Sequence, residues 1–467
     1  MLGYVPAREY RSVVDGELSD SSGAIVGGAS GWDGIARAAT SRRAFDAAAT
    51  DMLTLGVEEE FLLVEDGGDA LAPVAAGLLA ALAPDRSFAH ELRAAQIEAL
   101  TPVCLTAADI ERELTSARTT IARAAAGIAR LVAVPVNPGS ADPGPPTEHR
   151  RYRRILAGAP WASRAHLTCG MHLHLGVGDA DRAVVLHDAL RSYLPLLGAL
   201  AANSPIFDGA DAGVASARPQ LKQLLPRFGV PPAFGSWRRY EEYLRWGSTG
   251  GVIADPSYLW HELRLNPMHG TVEIRVFDVQ TDVSHAGALT ALTQALAAWL
   301  LARHEDGEVL PTHDHHRIQE ALWLAARDGA TGALPDLDTG TMIPVDLQLM
   351  QLLSDIRPHA AAIGSASHLD RIRTVQQVPG HERQRHVFAH SGVTGLVDWL
   401  AHCTDERQAP SGYPGRGGEL RNGSGGTTMP ESWIRTRSHV MRAEQLMQLA
   451  AAHPAAGSSC GGGGHRE

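Results

Sequence analysis

Four short segments of this chain place acidic, imidazole or guanidinium side chains inside apolar, strand-like runs. Residues 55–64 read LGVEEEFLLV and hold Glu58 and Glu60. Residues 169–175 read CGMHLHL and hold His172 and His174. Residues 271–278 read TVEIRVFD and hold Glu273 and Arg275. Between the first two, His90-Glu91-Leu92-Arg93 runs on to Gln96-Ile97-Glu98. Residues two apart in a strand point to the same face. Glu58 and Glu60 therefore share a face, as do His172 and His174, and Glu273 and Arg275. Burying such groups singly is expensive unless they are paired or bind a cation. The pattern predicts a sheet with one apolar face and one face that carries chemistry.

Each pair has a plainer alternative. Carboxylates of one strand face suit Mg²⁺, which takes hard oxygen ligands in octahedral geometry; the alternative is a solvated edge strand. The flanks Val57, Phe61, Leu62, Leu63 and Val64 speak against the edge strand. Glu91 and Glu98 are seven apart, which is one face of a helix but not of a strand. A bend around residues 93–95 would let both enter one site. The His-x-His pair suits metal or phosphate chemistry, and its alternative is a core histidine satisfied by a backbone carbonyl. Glu273 and Arg275 make either a salt bridge of little worth or a metal ligand beside an arginine that meets a phosphoryl group. His313-Asp314-His315-His316 looks like a metal cluster, but it follows a Pro-Thr turn and precedes a helix, so it reads as a solvated cap. Cys169 beside the histidines allows a Cys–His nucleophile as the lesser reading.

The elements that must position these residues are set by bulk composition and pattern. The chain has 467 residues, 44% of them hydrophobic and 20% charged, which is ample for one large or two ordinary globular domains. A formal net charge of -11 disfavours nucleic acid and anionic membrane as partners. Lys222 is the only lysine, in the setting Gln220-Leu221-Lys222-Gln223. A P-loop and a pyridoxal enzyme each need a differently placed lysine, so arginine and metal would have to hold any nucleotide phosphates. Cys104, Cys169, Cys403 and Cys460 are scattered and suggest neither zinc knuckle nor disulfide framework. No secretory start and no membrane-spanning run is evident, so the expectation is a cytoplasmic protein.

Residues 1–50 read as a poorly ordered extension, and the catalytic domain as 51–404. Helices are expected at 70–83, at 109–131 with an Asp N-cap, and at 180–202 with a kink or split at Pro195. A buried strand is expected at 131–136 and a Pro/Gly loop at 137–147. Residues 208–235 form a long Gly/Pro-rich segment of the kind that covers substrates. Further helices fit 237–246, 286–303, 317–326 and 346–353, with another ending near His402. Residues 405–467 combine a Gly-rich linker, a helix candidate at 431–452 and a glycine-rich tail.

Taken together, the segments resemble the carboxylate–amine ligases of the second glutamate–cysteine ligase family, which have a glutamine synthetase-like fold. LGVEEEF at 55–61, HELRAAQIE at 90–98, LTCGMHLHLGV at 167–177 and WHELRLNPMHGTVEIRVFD at 260–278 carry the likeness. Ser204-Pro205, residues 209–218, Gly229-Val230-Pro231-Pro232, residues 325–329 and Arg383-Gln384-Arg385 support it, and the likeness runs from about 52 to 403. The resemblance implies an α+β fold, a curved antiparallel sheet with helices on its convex face. It implies ATP and Mg²⁺, an acyl-phosphate intermediate, an amide product, small-molecule substrates and a homodimer. By the same resemblance, Glu58, Glu60, Glu91, Glu98 and Glu273 are metal ligands, with His172 helping to hold a metal or the ATP phosphates. His174 lies beside the nucleotide, and Glu273 and Arg275 are the catalytic pair, Arg275 on the transferring phosphoryl group. Arg327, Arg383 and Arg385 are implied for phosphate and Arg218 for substrate.

This chain departs from the family pattern at Ala212 and Val214, where Thr and Tyr are frequent, and at Ala321, where Asn is common. These positions bear on which acid and which amine are joined. A guanidino-type kinase on the same sheet is the second enzymatic reading, and the carboxylate set favours the ligase over it. A nucleotide or amino-acid binding module and a two-metal hydrolase built on His172 and His174 complete the alternatives.

Overall fold

The computed structural model describes residues 42, 44, 45, 53–82, 88–253 and 256–405. In chain order its first strands are β1 (Thr54–Glu65), β2 (Phe88–His90), β3 (Gln96–Leu100), β4 (Ala129–Val132) and β5 (Gly170–Gly176). They are followed by β6 (Ile206–Phe207), β7 (Ala210–Asp211), β8 (Leu263–Asn266) and β9 (Thr271–Asp278). Strands β6 and β7 make a small hairpin of their own; the other seven form one sheet ordered β2-β3-β1-β5-β9-β8. Every pairing in it is antiparallel. One edge of β1 is shared, by β5 up to Glu59 and by β4 from Leu62.

Alternation decides what each face does. Val57, Phe61, Met171, Leu173, Leu175, Val272 and Ile274 lie on one face and are buried. Full burial of a side chain of this size contributes about 1.5–3 kcal/mol. Helices Ala107–Ala125, Leu194–Ala201 and Val283–Glu305 pack against that face. The last of these is the only helix among the described residues long and apolar enough to cross a membrane, and 83% of its most apolar stretch is buried inside the protein, as a core helix would be.

Local sequence accounts for several element ends. Helix Ala107–Ala125 starts at a capping box: Thr106 Oγ1 accepts from the Asp109 amide at 3.2 Å, and Asp109 accepts from the Thr106 amide at 3.1 Å. Asp109 is thus the third residue of the helix and Thr106 its cap, a correction to the expected start. The helix also stops short of residue 131, because Gly127 takes a φ of 75° and turns the chain into β4. Pro195 does split the expected long helix, into Ala180–Leu190 and Leu194–Ala201 with a 3-10 turn between. Phe45, in the expected N-terminal extension, belongs to the buried core and meets Trp237 edge-on at 5.1 Å. The helix candidate at 431–452 and the Gly-rich tail lie outside the described residues.

One charged residue points to the apolar side. Glu59 falls between Glu58 and Glu60 and is fully buried behind the sheet. Arg118 of helix Ala107–Ala125 meets it in a fork, Nε to Oε2 at 3.0 Å and Nη2 to Oε1 at 2.5 Å. Two further guanidinium hydrogens go to the carbonyls of Gln280 and Thr281 at 2.7 and 3.0 Å. The pair ties β1, a packing helix and the segment that follows β9 together. Removing one partner leaves a buried charge alone, so Arg118→Met should cost about 3–5 kcal/mol in chemical denaturation. The double variant Arg118→Met with Glu59→Met should recover most of that loss, and additive losses would contradict the pairing.

Candidate active site

The register of the sheet lines up the polar residues. Glu98 lies opposite Glu60, Glu58 opposite His172, His174 opposite Glu273, and Glu273 opposite Arg264. Directly opposed residues present their side chains on one face. A row of carboxylates, imidazoles and guanidinium groups therefore crosses β3, β1, β5, β9 and β8 on the face away from the core. The β5–β9 register shifts between Met171 and Leu173, so Arg275 and Val276 together face His172. This bulge keeps both Ile274 and Phe277 on the apolar face, and it moves Asp278 to the polar one.

The row divides into two electrostatic halves. In one, Glu58 accepts from His172 Nδ1 at 3.1 Å and lies 3.2 Å from His174 Nε2. Glu273 accepts from Arg264 Nε at 2.5 Å, Asn266 Nδ2 at 2.8 Å, and Arg275 Nη1. Burial pushes both carboxyls up, but His174 and His172 hold Glu58 well below the usual range, and Arg264 and Arg275 do the same for Glu273. Burial works against the His174 cation too, and Glu273 with Glu58 outweighs it, so His174 is raised. His172 is lowered by burial and by Arg275, whose Nη1 lies 3.3 Å from its Nδ1.

The other half lacks this compensation. Burial and then Glu60 push Glu91 up to about 8, and Arg151 offsets little of it. Glu98 is pushed well above the usual range by burial and then by Glu58, Glu91 and Glu60. The expected bend between Glu91 and Glu98 is the β2–β3 hairpin, with His90 opposite Ile97. Glu60 accepts from the Gly170 amide at 2.7 Å. Two trios bring ligand atoms within 4.8 Å of one another: Glu58, His172 and Glu273, and Glu60, Glu98 and His172. Crowded, half-buried or buried carboxylates whose charged forms burial and mutual repulsion disfavour are a donor set fit for hard divalent ions.

The remaining expected residues lie elsewhere in the fold. Arg218 is buried behind Arg275, with Nη1 and Nη2 each 3.3 Å from the Arg275 carbonyl oxygen. Arg327 is half exposed and pairs with Asp328 at 2.7 Å. Arg383 stacks over Trp399 at 5.1 Å, and Arg385 bonds Asp211 at 2.9 Å and the Val214 carbonyl at 2.8 Å. None of these three makes a described contact with the carboxylate row. In the histidine run, His313 bonds Ser192 at 2.8 Å and lies 3.2 Å from Asp338, and Asp314 takes the N-cap position of the helix His315–Asp328 without a side-chain cap hydrogen bond. Cys169 is buried, and burial followed by Glu60 raises its thiol well above the usual range, which disfavours the thiolate that a nucleophile needs. Ala212 is exposed, Val214 half-buried and Ala321 fully buried.

Three features escaped the reading of the sequence. Arg264 and Asn266 hold Glu273 and could have been found, because Glu262, Arg264 and Asn266 alternate with Leu263 and Leu265. Asp278 anchors the long segment: its Oδ2 accepts from the Asn203 amide and the Ser204 and Ser216 hydroxyls at 2.8, 2.9 and 2.8 Å. Lys222 pairs with Glu262 at 2.8 Å.

The raised carboxyls make stability depend on pH. Between its ordinary value of 4.5 and about 8, Glu91 holds a proton in the native state that it has lost in the unfolded one. Its contribution is fully present below the lower value and is lost as pH rises through the higher one. Without divalent ions, the unfolding free energy should therefore fall from about pH 5 to 8, less steeply in Glu91→Gln, and Mg²⁺ should flatten the slope. Denaturation at several pH values measures this, and a slope that neither the variant nor Mg²⁺ changes would contradict it.

Comparison with known proteins agrees with this geometry. The family described as Glutamate-cysteine ligase family 2 matches residues 54–402. A Rubrobacter xylanophilus protein provisionally named glutamate–cysteine ligase 2-1 is 34% identical over 370 residues, covering 77% of this chain and 96% of its own. The glutamate–cysteine ligase of Natronomonas pharaonis is 32% identical over 373 residues, covering 77% of this chain and 97% of its own. A glutamate–cysteine ligase from Francisella tularensis, solved with AMP, shares the fold at a TM-score of 0.57 and 13% identity, over 78% of this chain and 91% of that one. The bifunctional glutathione synthetase of Pasteurella multocida does so at 0.58 and 14%, over 80% and 54%. The sheet with its polar face and helix-packed back is thus the glutamine synthetase-like architecture, and the chain belongs to glutamate–cysteine ligase family 2, as an ATP-dependent carboxylate–amine ligase.

Proposed function

We propose that the enzyme joins the side-chain carboxylate of glutamate to the amine of cysteine, with Mg²⁺ held by Glu58, Glu60, Glu91, Glu98, Glu273 and His172. The observation that carries the site assignment is the row across five strands, in which a cation-compensated half meets an uncompensated one at His172. The substrate pair draws its support from the names of the relatives. When bound, Mg²⁺ would neutralise phosphate and carboxylate charge.

The reaction has two displacements. A carboxylate oxygen attacks the γ-phosphorus of ATP, the bond to the bridging oxygen breaks, and ADP leaves. The free amine then attacks the acyl carbon, the carbon–oxygen bond to phosphate breaks, and the amine proton passes to solvent. Arg275 stays ionised throughout: burial disfavours its charge, but Glu273 and Glu58 raise its pKa further. Its guanidinium stands beside His172 and Glu273, between the two halves, where charge on a transferring phosphoryl group would develop. Glu273 holds it there, while Arg264 and Asn266 hold Glu273.

ADP release should require Mg²⁺, glutamate and cysteine together, with an amide of the expected mass as product. Hydroxylamine in place of cysteine should trap the acyl phosphate as a hydroxamate. Arg275→Ala should lower kcat by about 10²–10³, and Glu60→Ala or Glu273→Ala should remove turnover with the fold retained by circular dichroism. ADP release without any amine dependence would overturn the ligase assignment to this site. A different productive acid–amine pair would overturn the substrates alone.

A further inference from the structure

Arg275 sits at the β5–β9 bulge, where the ladder to β5 is interrupted. Its backbone is held on both sides. The Arg275 amide donates to the Glu262 carbonyl at 2.8 Å, and the Arg275 carbonyl accepts from both terminal nitrogens of Arg218 at 3.3 Å. Glu262 is in turn bound through its side chain by Lys222 Nζ at 2.8 Å. Arg218 and Lys222 are the first and last residues of one short helix, Arg218–Lys222. A single helical turn thus reaches both the amide and the carbonyl of one residue, one of them through Glu262.

The surroundings are shaped for this. A Cβ on Gly170 would lie 2.1 Å from Arg218 Nη2, so the guanidinium fits only because residue 170 lacks one. The Arg218 amide donates to Ser204 Oγ at 3.3 Å, and Ser204 and Ser216 both bind Asp278, three residues beyond Arg275 on the same strand. Lys222 and Glu262 are 5% and 2% exposed, and the ammonium lies 5.1 Å from the centre of the Phe228 ring. A buried pair of this kind adds little net stability over apolar residues of the same volume. The chain's only lysine is placed here.

We propose that Arg218, Lys222 and Glu262 are positioning residues, a clamp that fixes the Arg275 peptide and thereby aims its guanidinium at Glu273 and His172. This gives Arg218 a place behind the reacting groups instead of a direct substrate contact. It rests on the ligase reading in which Arg275 meets the phosphoryl group. Burial, then Arg218, lowers the Lys222 pKa to about 7 while Glu262 opposes them.

The test uses the full chain and removes both charges at once, Lys222→Met with Glu262→Leu, so that no buried charge is left alone. Lys222→Arg serves as the conservative variant. The expected result is a kcat for ADP release lowered about tenfold or more, with KM for ATP within about threefold and an unchanged thermal midpoint. Lys222→Arg keeps the charge at this position and should leave kcat within about threefold of the parent. Amide exchange at Arg275, followed by mass spectrometry, should quicken about tenfold in the double variant. Unchanged kcat would overturn the clamp, as would unchanged exchange at Arg275. Faster exchange in a protein whose parent shows no ligase turnover would support the clamp and sink the ligase reading instead.

Discussion

The structure is organised around the crowding of like charges on one sheet face. Glu58, Glu60, Glu98 and Glu273 all face the same way, and Glu91 joins their field from the β2–β3 turn. Two like charges about 4 Å apart repel by about 4 kcal/mol at an effective permittivity near 20. Such a face is stable only with protons, cationic side chains or bound cations. Glu58 and Glu273 have the side chains, in His174, Arg264 and Arg275. Glu91 and Glu98 are instead raised by burial and by the neighbouring carboxylates, a penalty that bound divalent ions would offset.

The rest of the fold keeps that face in register. A slip by one residue would turn the carboxylates into the core and the leucines outward. The apolar residues of β1, β5 and β9 oppose such a slip by their burial, and Glu59 opposes it by its fork with Arg118. The bulge in β9 then adjusts a single place, setting Arg275 against His172 without moving Ile274 or Phe277 from the core. Regular pairing aligns the ligands, and one irregularity aims the arginine.

Much of this was legible because the chemistry sits on regular strands. The i, i+2 spacing put Glu58 with Glu60 and His172 with His174 on shared faces, and the register shows those faces to be one. Asp278 was not legible: alternation from Glu273 assigns it to the apolar face, and only the bulge reverses it. The same alternation sets Glu59 on the face opposite Glu58 and Glu60, but not what holds it there, because Arg118 is distant in sequence. The helix end at Gly127 depends on a positive φ that a periodic reading passes over. Arg327, Arg383 and Arg385 came from resemblance alone, and their contacts here are with Asp328, Trp399 and Asp211.

The most direct test of the account is a crystal structure of the protein with Mn²⁺ and a non-hydrolysable ATP analogue, using anomalous scattering to locate the metal. The account predicts ions at both trios, one among Glu58, His172 and Glu273 and one among Glu60, Glu98 and His172, with the terminal phosphate beside Arg275. Nucleotide bound with no metal on these carboxylates, or metal bound elsewhere in the protein, would contradict it.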